Sequence, residues 1–149
     1  MLLFALLVFA GCEQKVKEKK LSQKVFTYEY RLSSISGDDH GYWIGGETGY
    51  ISHVDYGERK TYSTGLDRVY DVVRDAKHHN ILWIASRNAG LQKWEIAGDS
   101  LHWIKTYEIE GKGCHYSPYD ILWLNDTIYL ATSQGLYCMS IRKDSESKL

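Results

Sequence analysis

Three stretches of this chain repeat one pattern: Gly41-Tyr-Trp-Ile-Gly-Gly-Glu-Thr-Gly49, Ile81-Leu-Trp-Ile-Ala-Ser-Arg-Asn-Ala-Gly90-Leu91 and Thr127-Ile-Tyr-Leu-Ala-Thr-Ser-Gln-Gly135-Leu136. Their aromatic members, Trp43, Trp83 and Tyr129, stand 40 and then 46 residues apart. A short aromatic run recurring at this interval marks a chain built from stacked copies of one supersecondary unit. Each copy leaves apolar faces that only a neighbouring copy can bury. With 149 residues the chain has room for about three such units.

The middle unit is the most complete. Val69-Tyr-Asp-Val-Val73, Ile81-Leu-Trp-Ile-Ala85, Leu91-Gln-Lys-Trp-Glu-Ile96 and Leu101-His-Trp-Ile-Lys-Thr-Tyr107 are short, rich in β-branched and aromatic residues, and separated by polar or glycine-bearing turns. They predict four antiparallel strands, and no segment beyond the apolar leader carries a period of 3.6. The first unit runs from Val25–Arg31 through Tyr42–Gly45 and Tyr50–Val54 to Lys60–Tyr62. The third runs through Tyr119–Leu124, Ile128–Ala131 and Leu136–Ile141, with no recognisable fourth strand. The expected fold is all-β: a partial β-propeller of about three four-stranded antiparallel blades, at about 25–62, 63–108 and 114–141. About four to eight blades normally close a ring. Three therefore require further blades, from self-association or from a neighbouring chain.

The ends predict export. Met1–Gly11 is almost wholly apolar, too short to span a bilayer and suited to the core of a secretory signal. Phe9-Ala-Gly-Cys12 resembles a bacterial lipobox, with Phe9 where leucine is usual and no basic residue before the apolar run. Cys12 would then carry the lipid. Residues 13–24, with five lysines, read as a flexible tether and 142–149 as a charged tail. The expected location is the cell envelope, periplasm or outer membrane, with the lipid as membrane anchor. Cys114 and Cys138 are open to two readings, a disulfide or two separate thiols.

Several chemistries lack support. A net charge of −1 argues against a nucleic-acid partner. No glycine-rich loop joins a strand to a helix, so no phosphate cradle or other cofactor site is expected. No motif assembles a nucleophile with its base, so no catalytic residue is assigned. His78-His79 and Asp38-Asp39-His40 fall in turns, where adjacent side chains diverge, so no metal is expected.

Trp43, Trp83 and Tyr129 are assigned to packing between sheets because they are locked to the repeat. Trp94, Trp103 and Trp123 share no repeat position; outer-strand packing is their first reading and a carbohydrate-facing ring the second. Propeller ligands usually sit at the axial mouth beside the innermost strands, an analogy at the level of fold. That places Asp67, Arg68, Tyr70 and Asp71 from one blade, and His115, Tyr116, Tyr119 and Asp120 from the next, around the mouth. Arginine and aspartate can hydrogen-bond sugar hydroxyls or carboxylates, while tyrosine adds a flat apolar face. Asp71 and Asp120 also admit a second reading as the carboxylate pair of a propeller lyase or glycosidase.

Tyr62-Ser-Thr-Gly-Leu-Asp-Arg-Val-Tyr-Asp-Val-Val-Arg-Asp75, followed by Ile81–Leu91, resembles the two-component regulator propeller repeat. Ala85 and Ser86 stand where that repeat usually has Gly-Thr, and the resemblance extends more weakly over residues 25–141. It implies the periplasmic sensor region of a hybrid two-component system, in which propeller blades bind an extracytoplasmic signal such as an oligosaccharide fragment. The expected function is a non-catalytic ligand- or partner-binding module. The alternative is a truncated structural remnant, or a self-assembling fragment without its own activity.

Overall fold

A computed structural model describes residues 27–111 and 114–141, the hairpin residues 110, 111, 114 and 115 by backbone alone. The signal-like segment 1–12 with Cys12, the tether 13–24 and the tail 142–149 lie outside the described residues.

Among the described residues, the elements are all β-strands. Sheet one holds β1 (Leu32–Asp38), β2 (Gly41–Gly46), β3 (Tyr50–Asp55) and β4 (Glu58–Ser63). Sheet two holds β5 (Val69–Arg74), β6 (Ile81–Ser86), β7 (Gly90–Ala97) and β8 (Ser100–Tyr107). A hairpin of β9 (Glu110–Gly111) and β10 (Cys114–His115) follows. Sheet three holds β11 (Pro118–Leu124), β12 (Thr127–Thr132) and β13 (Gly135–Ser140). Within each sheet, consecutive strands are antiparallel neighbours. The all-β class expected from the sequence is what the chain adopts.

The turns explain the meander. Gly49, Gly90 and Gly135 occupy one position, at the entry to the third strand of each sheet, with φ of 72°, 66° and 131°. A Cβ at Gly90 would lie 2.7 Å from the Tyr107 carbonyl oxygen, so both the dihedral and the close backbone approach demand glycine.

Sheet two is buried on both faces, which is why β6 is buried at all six positions. Side chains alternate across a strand. Leu82 and Ile84 accordingly point one way, packing with Val69, Val72 and Trp94 against Trp43, Ile51 and Tyr62 of sheet one. Ile81, Trp83 and Ala85 point the other way, and with Leu91 they meet Ile121, Ile128 and Leu130 of sheet three. Trp43 and Trp83 thus fill the spaces between sheets. Asp75, also buried, fixes the β5–β6 turn. Its carboxylate accepts hydrogen bonds from the backbone amides of Lys77 and His78, both at 2.9 Å, and from Trp83 Nε1 at 3.1 Å.

Two details differ from the sequence reading. The first strand of sheet one is Leu32–Asp38, not Val25–Arg31. Its Ser- and Gly-rich sequence has little strand propensity, yet its hydroxyls make it a good neighbour: Ser33 and Ser36 donate to the carbonyls of Val69 and Val72. The β9–β10 hairpin was not anticipated, being only two residues per strand.

Replacing Gly90 with alanine should destabilise the chain by about 1–3 kcal/mol from the dihedral alone, with the backbone clash adding to that. Gly98→Ala, where φ is 59° but nothing lies within 4 Å of the added carbon, should cost less. Urea denaturation of the two variants decides the order; equal losses would mean that the approach to Tyr107 does not matter.

Candidate functional site

The first strand of every sheet is irregular at the same place. The register shifts between Leu32 and Ser34 in β1, between Val69 and Asp71 in β5, and between Pro118 and Asp120 in β11. A bulge of this kind leaves one residue unpaired and re-aims its side chain. The unpaired residues are Ser33, Tyr70 and Tyr119. Each bulge is framed by a recurring hydrogen bond: Glu47 N to Arg31 O (3.0 Å), Arg87 N to Arg68 O (3.1 Å) and Ser133 N to Ser117 O (3.2 Å). The three bulges therefore lie at one end of the stacked sheets.

At that end Tyr70 and Tyr119 meet edge to face, with ring centroids 4.9 Å apart. The Arg68 guanidinium lies 5.9 Å from the Tyr70 ring centroid and forms an ion pair with Glu47 at 3.2 Å. Arg31 reaches the other oxygen of Glu47 at 3.7 Å. Tyr119 is 46% exposed and Tyr70 half-buried. Asp67 accepts a hydrogen bond from Asn88 Nδ2 at 3.3 Å. The result is an aromatic wall rimmed by charge, drawn from sheets one, two and three. Of the residues singled out from the sequence, Arg68, Tyr70 and Tyr119 are brought together. Arg31 and Glu47 complete the rim, and nothing in their local sequence marked them.

The remaining candidates separate. Tyr116 turns toward Tyr137, at 5.8 Å, and lines a neighbouring cavity of about 250 Å³ with Asn88, Glu108 and Ser117. The side chains of His115 and Cys114 lie outside the described residues, while Cys138 is exposed on sheet three. Asp120 is exposed, whereas Asp71, 6% exposed, turns inward. Its two oxygens accept the amides of Val72 (2.8 Å) and Ile121 (2.9 Å), so it ties β5 to β11. Burial pushes the Asp71 carboxyl up to about 6; the two amides pull against this, and the adjoining Asp120 carboxyl adds to it. Asp71 and Asp120 are adjacent, but Asp71 already has an amide on each oxygen.

Of the three tryptophans without a repeat position, Trp94 is buried and donates to Gln92 Oε1 at 2.8 Å. Trp123 is half-buried, 6.0 Å from Trp83. Trp103 is exposed, its indole N–H donating to Thr106 Oγ1 at 3.1 Å.

Two further constellations escaped the sequence. Tyr28, Tyr30 and Tyr50 form a ring cluster on sheet one, with the Arg59 guanidinium 5.0 Å from the Tyr28 ring centroid, beside an open cleft of about 720 Å³. At the end opposite the bulges, Arg74 bridges Asp38 (2.9 Å) and His53 Nε2 (3.2 Å) while lying over Trp43. Burial, and then the Arg74 charge, hold His53 below the ordinary histidine range. Beside them the rings of His40 and His79 meet edge to face at 5.2 Å. Among the described residues no three metal-ligating side chains converge on a point.

The raised Asp71 carboxyl predicts a pH signature. Below 3.8 the group is protonated in folded and unfolded chains alike. As pH rises, the unfolded chain ionises first, so stability is lost through the window up to about 6. The loss is on the order of 3 kcal/mol. Asp71→Asn removes this dependence but leaves one amide without an acceptor, at a cost of about 1–3 kcal/mol. The variant should therefore be clearly less stable than the parent at pH 4 and close to it at pH 7.5. Denaturant titrations at both values test this, and a difference independent of pH would refute the assignment. Neither a protein-family model nor a curated protein matches this chain.

Proposed function

We propose that the three sheets are consecutive blades of a β-propeller, and that the chain is a non-catalytic, extracytoplasmic binding module. Its ligand is an oligosaccharide, held at the rim formed by Tyr70, Tyr119 and Arg68. The observation that carries this reading is the common bulge. It turns Tyr70 and Tyr119 out of neighbouring innermost strands at one end of the stack, beside a charged rim. Flat apolar rings next to guanidinium and carboxylate groups match the alternating apolar faces and hydroxyl edges of a sugar. The repeat's resemblance to two-component regulator propellers supports the same reading, as part of a lipid-anchored sensor region at the cell envelope.

Binding across β5 and β11 would favour one spacing of the two sheets over another, which is how a module without chemistry reports occupancy. The engagement of both Asp71 oxygens by backbone amides favours a brace over an acid or base, and so weighs against the lyase or glycosidase alternative.

Screening the purified chain against an oligosaccharide array, followed by calorimetry on any hit, tests the reading. Tyr119→Ala and Arg68→Ala should each weaken binding about tenfold, the usual loss for an aromatic or arginine anchor. Trp103→Ala, on the outer edge of sheet two, should leave it unchanged. An array without hits, or a hit indifferent to both rim variants, would sink the proposal.

A further inference from the structure

The repeat itself shows what belongs on the two outer faces of the stack. Ile51, Leu91 and Leu136 occupy one position, opposite Gly45, Ala85 and Ala131. Ile51 and Leu91 are 0% exposed because another sheet covers them, while Leu136 is 73% exposed. Tyr129, in the position of the buried Trp43 and Trp83, is only half-buried. The far side of the stack shows the complement. Ile35, Val72 and Ile121 share a position opposite Ile44, Ile84 and Leu130. Val72 and Ile121 are 0% and 6% exposed, and Ile35 is 70% exposed.

We propose that the outer face of sheet three is covered by the outer face of sheet one from a second copy of this chain, so that two copies close a two-fold ring of six sheets. The proposal rests on the propeller reading. The chain already contains two examples of the required interface, between sheets one and two and between sheets two and three. In both, the row containing Ile51 or Leu91 meets the row containing Val72 or Ile121. Sheet three offers the first kind of row uncovered. Sheet one offers the second, beside an apolar groove of about 390 Å³ lined by Leu32, Ser33, Ser34, Ile35 and Ile44. Tyr30 packs on Gly46 and bonds Ser52 at 2.8 Å, so it covers the outer part of that face and leaves the rows nearest β1 open.

Arithmetic selects the number of copies. Rings close with about four to eight blades, and the three described sheets of each of two copies make six. Head-to-tail contacts that fail to close give filaments instead. Closure would also place two Tyr70–Tyr119–Arg68 rims around one mouth.

Light scattering on the full chain tests this. The expected mass is twice 17.2 kDa. Leu136→Arg and Ile35→Glu should each halve it, and mixing the two variants should restore the dimer, because one of the two contacts then pairs opposite charges and the other is native. As a check that needs no variant, Cys138, on the outer face of sheet three, should react with a thiol reagent faster on dilution. A monomer, a trimer, an open polymer, or a dimer that survives both substitutions overturns the proposal. Hydrogen exchange separates that failure from failure of the propeller reading. Protected amides in all three sheets, including Ile121, leave the propeller standing, whereas an unprotected Ile121 amide rejects the stack itself.

Discussion

Everything in this chain depends on a face of one sheet finding a face of the next. A four-stranded meander has two sides, and β6 carries apolar residues on both, so sheet two has no solvent-compatible side. Its burial comes wholly from its neighbours: Leu82 and Ile84 go to sheet one, Trp83 and Ala85 to sheet three. Each side chain in the two large aromatic positions, Trp43 and Trp83, removes apolar surface from both sheets it touches. The hydrophobic gain is shared between repeats and not held within one, so stability in such an array resides largely in its nearest-neighbour contacts.

Polar contacts fix the register that apolar packing leaves free. Hydrophobic contact is non-directional, and stacked sheets could slide. Ser33 and Ser36 donate from β1 to β5 carbonyls. Asp71 accepts from its own strand and from Ile121 in β11. These bonds join the first strands of the three sheets in sequence, β1 to β5 to β11, and hold the three bulges at a common level. This placement leaves a buried carboxyl beside a second acid, and burial raises the Asp71 titration. At the other end, the Asp38–Arg74–His53 contact performs the same joining between sheets one and two, with His53 held below the ordinary histidine range by burial and by the arginine beside it.

Much of this was legible in the sequence because the informative residues repeat. The strands of sheet two, the turns that end them and the inward position of Trp43 and Trp83 follow from spacing and residue type. What escaped lacked a local signal. β1 was missed because Leu-Ser-Ser-Ile-Ser-Gly-Asp has the composition of a loop; it is a strand because its serines find carbonyls on β5. Asp71 was placed among the ligand-facing residues because a period-2 pattern cannot reveal a bulge. The extra residue reverses which side chain faces outward, so Tyr70 takes the rim and Asp71 the interior. Glu47 and Arg31 join the rim through loops that close on one another through a backbone hydrogen bond, a contact sequence separation hides.

The rim and the stack share their supports. Tyr70 and Asp71 are consecutive, one on the bulge and one in the brace to β11; Tyr119 and Asp120 hold the equivalent positions in β11, where Asp120 is exposed. A group that presses Tyr70 against Tyr119 acts on two strands whose separation is set by the Asp71–Ile121 hydrogen bond. Protonation of Asp71 alters the same hydrogen bond from the inside, since a neutral carboxyl is a weaker acceptor than a carboxylate. Occupancy of the proposed rim site would therefore act on the same distance, between β5 and β11, as ionisation of Asp71. Any coupling between them must be reciprocal, because both are equilibria of the same two strands.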